Sequence, residues 1–220
     1  MVVIVDYGCG NPASIANMAK KIGQRAVISA DPEILANATR LILPGVGSFD
    51  QGMGNLRQRG LRPLLDRKVL EERVPILGIC LGAQLLCRRS GEGREPGLGW
   101  IDADVVRFDP QRLGPELRIP HMGWSDLTVT APDPLFAGLD SGARFYFVHS
   151  YHLVCDRVET VIGTAVHGHP FTAAVARDTI RGVQFHPEKS HRFGMTLLDN
   201  FFRIPPGEAT PCGAYASFPS

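Results

Sequence analysis

What the sequence lacks narrows the field first. No apolar run approaches the ~18 residues needed to span a bilayer, and the opening MVVIVDYG has neither a basic leader nor a cleavage-site pattern. A membrane protein and an exported one are therefore not expected, and the expected setting is cytoplasmic. Neither sign of charge dominates: 23 Lys and Arg against 22 Asp and Glu leave a net charge of +1. The arginines are scattered and no aromatic–basic cluster appears, which argues against nucleic acid and anionic membranes as partners. Cysteine is sparse and odd in number, with Cys9, Cys80, Cys87, Cys155 and Cys212 in spacings that match no zinc ribbon or finger. Free thiols in a reducing compartment are the expectation, with no metal and no cofactor. There is no internal repeat and no domain-sized linker, so 220 residues at 44% hydrophobic content read as one α/β domain with one core.

What is present alternates. VVIVD (2–6) is a fully apolar run rich in β-branched residues, as in a buried central strand. A Gly-rich turn follows, then Asn11 as a helix N-cap, Pro12 at the first helical position, and Ile15, Met18, Ala19 and Ile22 at helical spacing up to Gly23. RAVISA (25–30) and RLIL (40–43) read as strands around a short helix opened by Asp31-Pro32 and running through Ala38. A helical stretch over 49–72, interrupted near Gly60, leads to strand VPILGI (74–79) and a helix over 81–89. Strands alternating with helices predict a parallel sheet covered on both faces. The second half carries strand-like runs, among them WIDADVVRF, SDLTVT, ARFYFVHSYHLV, ETVIGTAV, FTAAVARD and TIRGVQF, which predict an antiparallel extension. A helix over 191–203 closes the domain, and the Pro-, Gly-, Ala- and Ser-rich 204–220 reads as a flexible tail.

Gly78-Ile79-Cys80-Leu81-Gly82 sets a cysteine at the tip of a strand-to-helix turn, where hydrolases often carry serine. Such a turn holds its residue in strained backbone geometry and lifts the side chain above the carboxyl ends of the strands, where open α/β sheets bind ligands. The following helix N-terminus favours a thiolate, and its N–H groups, Leu81 first, suit an oxyanion. The alternative is a small inert residue filling a tight turn. Cys87 reads as core in mid-helix, and Cys9 as a small turn residue.

A thiolate needs a proton partner, and GVQFHPEKS (182–190) offers His186 and Glu188. Residues two apart on an extended segment point to one side, so Glu188 would orient one imidazole nitrogen while the other faces Cys80. His-x-Glu is also half of a metal site, but the remaining six histidines offer no third ligand at a persuasive spacing and read as satisfied polar residues. In LILPGVGSF (41–49), Gly45 and Gly47 bracket Val46 at another strand end, which is either an ordinary turn or a second oxyanion donor from Val46 or Gly47.

PGVGSF, GICLGAQLL and GVQFHPEKS together resemble the three motif blocks of the class I, triad-type glutamine amidotransferases, in the expected order and separation. VDYGCGN, PHMGW (120–124) and FYFVHSY (145–151) are similar to the glutaminase subunits of imidazole glycerol phosphate synthases. The resemblance covers residues 1–203. It implies a single flavodoxin-like domain whose central, mostly parallel sheet has helices on both faces and an antiparallel extension. It also implies glutamine as substrate, attacked by Cys80 with His186 and Glu188 in support, and Gly47, Leu81, Gln84, Ser150 and Tyr151 around it. The ammonia would pass to a cyclase subunit, a (β/α)₈ barrel forming a heterodimer for histidine biosynthesis, with Asn11, Tyr146 and Lys189 at the interface. Glutaminase activity would be coupled to the cyclase's ligand, with the PGVG backbone as the moving part. The sequence departs from the family at Ala83, where Met is usual, and at Pro12-Ala13-Ser14, where Leu-Arg-Ser is usual. SIANMAKKIG, GLGWIDA and SHRFGMTLL also resemble paralogous glutaminase subunits that feed sugar-modifying enzymes of surface-polysaccharide synthesis.

Overall fold

The computed structural model describes residues 1–205 and 207, so most of the expected 204–220 tail, with Cys212, lies outside the described residues. In chain order the elements are β1 (Val2–Val5), α1 (Pro12–Lys21), β2 (Ala26–Ser29), α2 (Pro32–Ala36), β3 (Arg40–Leu43), α3 (Phe49–Gln58), α4 (Arg62–Asp66), β4 (Ile76–Ile79), α5 (Leu81–Leu85), β5 (Arg89–Ser90) and β6 (Ala103–Arg107). There follow β7 (His121–Asp126), β8 (Thr128–Val129), β9 (Arg144–His149), β10 (Tyr151–Cys155), β11 (Val161–His167), β12 (His169–Arg177), β13 (Ile180–Val183) and α6 (His191–Arg203).

The helix starts are local chemistry. Asn11 Oδ1 accepts from Ser14 N at 3.1 Å ahead of Pro12, and Asp31 Oδ1 accepts from Glu33 N at 2.8 Å ahead of Pro32. The main sheet runs β2-β1-β3-β4-β13-β12-β10-β6-β5, with β11 beside β12 and β8 on β11. From β2 to β13 every pairing is parallel, and β13 to β6 is the antiparallel extension. Alternation along the strands divides the interior into two layers. Val3, Val5, Leu41, Leu43 and Ile76 pack against α2, α3, α4 and α5. Val2, Ile4, Ile42, Leu77 and Ile79 pack against α1 and α6, so both faces are covered.

Three expectations change. The helix over 81–89 ends at Leu85, because the carbonyls that would continue it are taken by a later segment. Leu85 O accepts from Leu98 N, Leu86 O from Trp100 N and Ile101 N, and Cys87 O from Gly99 N. Cys87 is thus a core residue just past the helix, not within it, and burial pushes its thiol pKa well up. The run ARFYFVHSYHLV breaks at Ser150 into β9, which forms a separate two-stranded ribbon with β7, and β10, which joins the main sheet. The stretch over 49–72 breaks at Gly60 (φ +64), as expected, but its second half, α4, runs into a π-helical turn over Arg67–Glu71.

Candidate active site

The site is set by strand register. β4 and β13 are parallel with Ile79 opposite Val183, and Cys80 N donates to Val183 O at 2.8 Å. The residues that follow each strand therefore stand side by side: Cys80 from one, Gln184 and then His186 from the other. Cys80 has φ +53 and ψ −111, the strained turn that its flanking glycines predict. The turn is pressed against the loop after β3. A Cβ on Gly82 would lie 1.9 Å from Leu43 O, and one on Gly45 would lie 2.6 Å from Gly82 N. Tyr7, fully buried, holds the same loop by donating from its hydroxyl to Pro44 O at 2.6 Å. Leu81 opens α5, so its N–H has no acceptor within the helix.

His186 is anchored by its backbone. Its N donates to Tyr146 O at 2.9 Å, and its carbonyl accepts from Ser190 Oγ at 2.6 Å. Glu188 reaches back through a 3₁₀ turn over Pro187–Lys189 rather than along an extended chain, and its Oε1 meets His186 Nδ1 at 2.7 Å. His186 Nε2 is buried and makes no hydrogen bond of regular geometry. Burial opposes charge on this imidazole. The hydrogen bonding and charge of Cys80 and Glu188 outweigh it and raise the pKa to about 9. At neutral pH His186 is therefore held as an imidazolium beside the sulfur.

A cavity of about 280 Å³ opens over this pair. Cys80, His186, Gly47, Leu81, Gln84, Ser150, Tyr151 and Lys189 all line it, so most of the residues singled out from sequence converge on one space. Glu188 stands behind His186. Tyr146 lies outside the cavity lining, 5.6 Å below Lys189 Nζ, and Asn11 is exposed as the cap of α1.

The glutamine amidotransferase class-I family model matches residues 3–204. The chain belongs to this family. As a class-I glutamine amidotransferase it is 50% identical over 203 residues to imidazole glycerol phosphate synthase subunit HisH 2 of Methanococcus maripaludis, covering 92% of this chain and 99% of that one. It is 48% identical over 204 residues to the protein of the same name from Pseudomonas aeruginosa, covering 93% and 100%. Among solved structures, PurLQS from Thermotoga maritima superposes with a TM-score of 0.71 at 20% identity over 91% of this chain and 96% of that one, a likeness of fold.

Sequence reasoning missed several residues in and around this cavity. Glu92 lines the cavity, with Oε2 accepting from Phe49 N at 2.8 Å; it lies in a loop with no motif around it. Gln184 donates from Nε2 to Cys80 Sγ at 3.8 Å and could have been found from the strand pairing alone. His121, His149, His152, His167 and His169 form a buried cluster around Phe108, and His149 also lines the cavity. Burial, with the charge of His167, lowers His121 to about 4, and burial keeps His149 neutral as well. These imidazoles are mostly satisfied, as expected, although His169 Nε2 has no hydrogen-bond partner. Among the described residues no three His, Cys, Asp or Glu side chains are placed to hold a metal ion, and no helix is long and apolar enough to cross a membrane.

Proposed function

We propose that this chain is the glutaminase subunit of an imidazole glycerol phosphate synthase, hydrolysing glutamine to glutamate and passing the ammonia to a cyclase subunit for histidine biosynthesis. The observation that carries the reading is one cavity lined by both Cys80 and His186, with Glu188 bonded behind the imidazole, in a chain 50% identical to a synthase subunit over nearly its whole length. Four free thiols, Cys9, Cys80, Cys87 and Cys155, suit a reducing cytoplasm.

In this reading the side-chain amide of glutamine enters the cavity and Cys80 Sγ attacks its carbon. The negative oxygen that forms is met by Leu81 N–H and a second backbone donor, from Val46 or Gly47. His186 passes its proton to the departing nitrogen, which leaves as ammonia, and a γ-glutamyl thioester remains on Cys80. Water then attacks with His186 as base, and glutamate leaves with the thiolate restored. Glu188 holds His186 in orientation throughout. Gln84, Ser150 and Tyr151 bind the substrate, and the Glu92 carboxylate suits its α-ammonium.

The partner in this reading is a (β/α)₈ barrel that covers the cavity, forming a heterodimer across Asn11, Tyr146 and Lys189. The ribbon beside the cavity supports it by exposing Met122 (63%) and Trp124 (37%), an apolar surface suited to a partner. Cys80→Ala is the decisive variant. With the partner present it is expected to release no glutamate while still binding that partner, and near-wild-type release would reject the mechanism.

A second reading keeps the chemistry and changes the acceptor to a sugar-modifying synthetase. One observation favours it: the departure at Pro12-Ala13, close to the expected interface. Pull-down of the tagged chain distinguishes them, a co-purifying barrel supporting the first and a large adenylating enzyme the second.

A further inference from the structure

The sulfur of Cys80 has a neighbour besides the imidazole, and the direction of that contact follows from the bonds behind it. Gln184 is 1% exposed and stands beside Cys80 through the pairing of β4 with β13. Three amide and carbonyl groups are linked to it in series. Tyr151 O is a backbone carbonyl and can only accept, so the Gln84 group 3.1 Å from it is Nε2. The other hydrogen of that NH₂ points at Gln184, also at 3.1 Å, and must meet an oxygen, so Gln184 presents Oε1 to Gln84. This turns Gln184 Nε2 toward Cys80 Sγ, 3.8 Å away. Reversing Gln84 would set oxygen against oxygen, and reversing Gln184 would set NH₂ against NH₂. The fixed carbonyl at one end thereby dictates a donor at the other.

A neutral thiol gains little from a donor aimed at it, whereas a thiolate gains a charge-assisted hydrogen bond. We propose that Gln184 holds the thiolate of Cys80, its amide aimed by Gln84 and the carbonyl of Tyr151. Both hydrogens of the Gln84 amide are committed within this relay, so Gln84 has only its oxygen to offer a ligand. Gln84 and Tyr151 line the cavity, and the relay couples its wall to the nucleophile. The proposal rests on the reading of Cys80 as the nucleophile.

The test is the alkylation rate of Cys80 by iodoacetamide, followed by mass spectrometry across pH; it needs neither glutamine nor a partner. In the wild type Cys80 is expected to react faster than Cys155 at neutral pH. Gln184→Met keeps the length and removes the donor, and is expected to slow Cys80 roughly tenfold near neutrality. The two rates should converge at high pH, where the thiolate is fully formed in both. Gln184→Glu, which sets a carboxylate against the sulfur, is expected to be slower still. A packing defect alone would not produce the convergence. Should Gln184→Met fail to fold, Gln84→Met leaves Gln184 present but unaimed and is expected to slow Cys80 by a smaller factor. A folded Gln184→Met or Gln84→Met with wild-type rates at every pH overturns the proposal. Wild-type Cys80 reacting no faster than Cys155 overturns the nucleophile reading itself, and this inference with it.

Discussion

Replacing Glu188 by glutamine keeps the shape of the side chain and removes its charge. In the folded protein its Oε1 lies 2.7 Å from His186 Nδ1, and the two side chains are 5% and 1% exposed. Burial disfavours the imidazolium, and Cys80 and Glu188 favour it strongly enough to set the balance at about 9 against 6.5 in a model compound. An opposite charge in direct contact is worth about 1–3 pKa units, or about 1.4–4 kcal/mol. Without it burial is opposed by Cys80 alone, so the imidazolium of Glu188→Gln should lose its proton at roughly pH 6–8. The sign for stability follows. A histidine whose pKa is raised by folding stabilises the fold fully below about pH 6.5, and that contribution is lost as pH rises through about 9. The variant should lack most of it at neutral pH. The assay is kcat/KM for glutamate release against pH, which reports the groups of the free enzyme. The alkaline limb should move to lower pH, and the rate should fall about 10²–10⁴-fold with the loss of an oriented general acid and base. A variant that melts cooperatively yet keeps the wild-type alkaline limb would refute this account of His186.

Tyr7→Phe strips the buried Pro44 carbonyl of its donor and should cost about 1–3 kcal/mol in urea unfolding, with a further loss of kcat because the loop bearing Val46 and Gly47 is released. Gly82→Ala places a methyl 1.9 Å from Leu43 O, so the elbow must open; a cost of about 3 kcal/mol or more and loss of Cys80 labelling are expected, and an unchanged melting temperature would contradict the packing described. The imidazole cluster around Phe108 should make the fold acid-sensitive. With His121 lowered to about 4 and His149 and His152 also lowered, its contribution is complete above about pH 6.5 and lost as pH falls toward 4. The urea midpoint should fall over that range, and less so in His121→Gln.

Legibility in the sequence depended on whether the cause was local. Asn11 and Asp31 announced their helices because a cap acts within three residues, and Cys80 stood out because a turn between two glycines forces its geometry. The His-Pro-Glu stretch brings its two side chains together through a tighter turn than expected. The features that escaped depend on residues far off in the chain. The early end of α5 is imposed by donors from residues 98–101, which no helical periodicity reports. β7 was hidden because its outward residues, Met122 and Trp124, are apolar and blur the alternation of a half-buried strand. Nothing local sets Gln184 apart; the pairing of Ile79 with Val183 is what puts it against sulfur.

The same pairing governs when the chain becomes reactive. Cys80 is made early in synthesis, but His186, Glu188 and Gln184, which gather around it in the folded domain, all arrive about a hundred positions later, just beyond β13. A nascent chain that has not yet docked its last strand has Cys80 at an open sheet edge with none of the three beside it. On the proposed mechanism, hydrolysis of glutamine, and the release of ammonia with it, must wait for the domain to be finished.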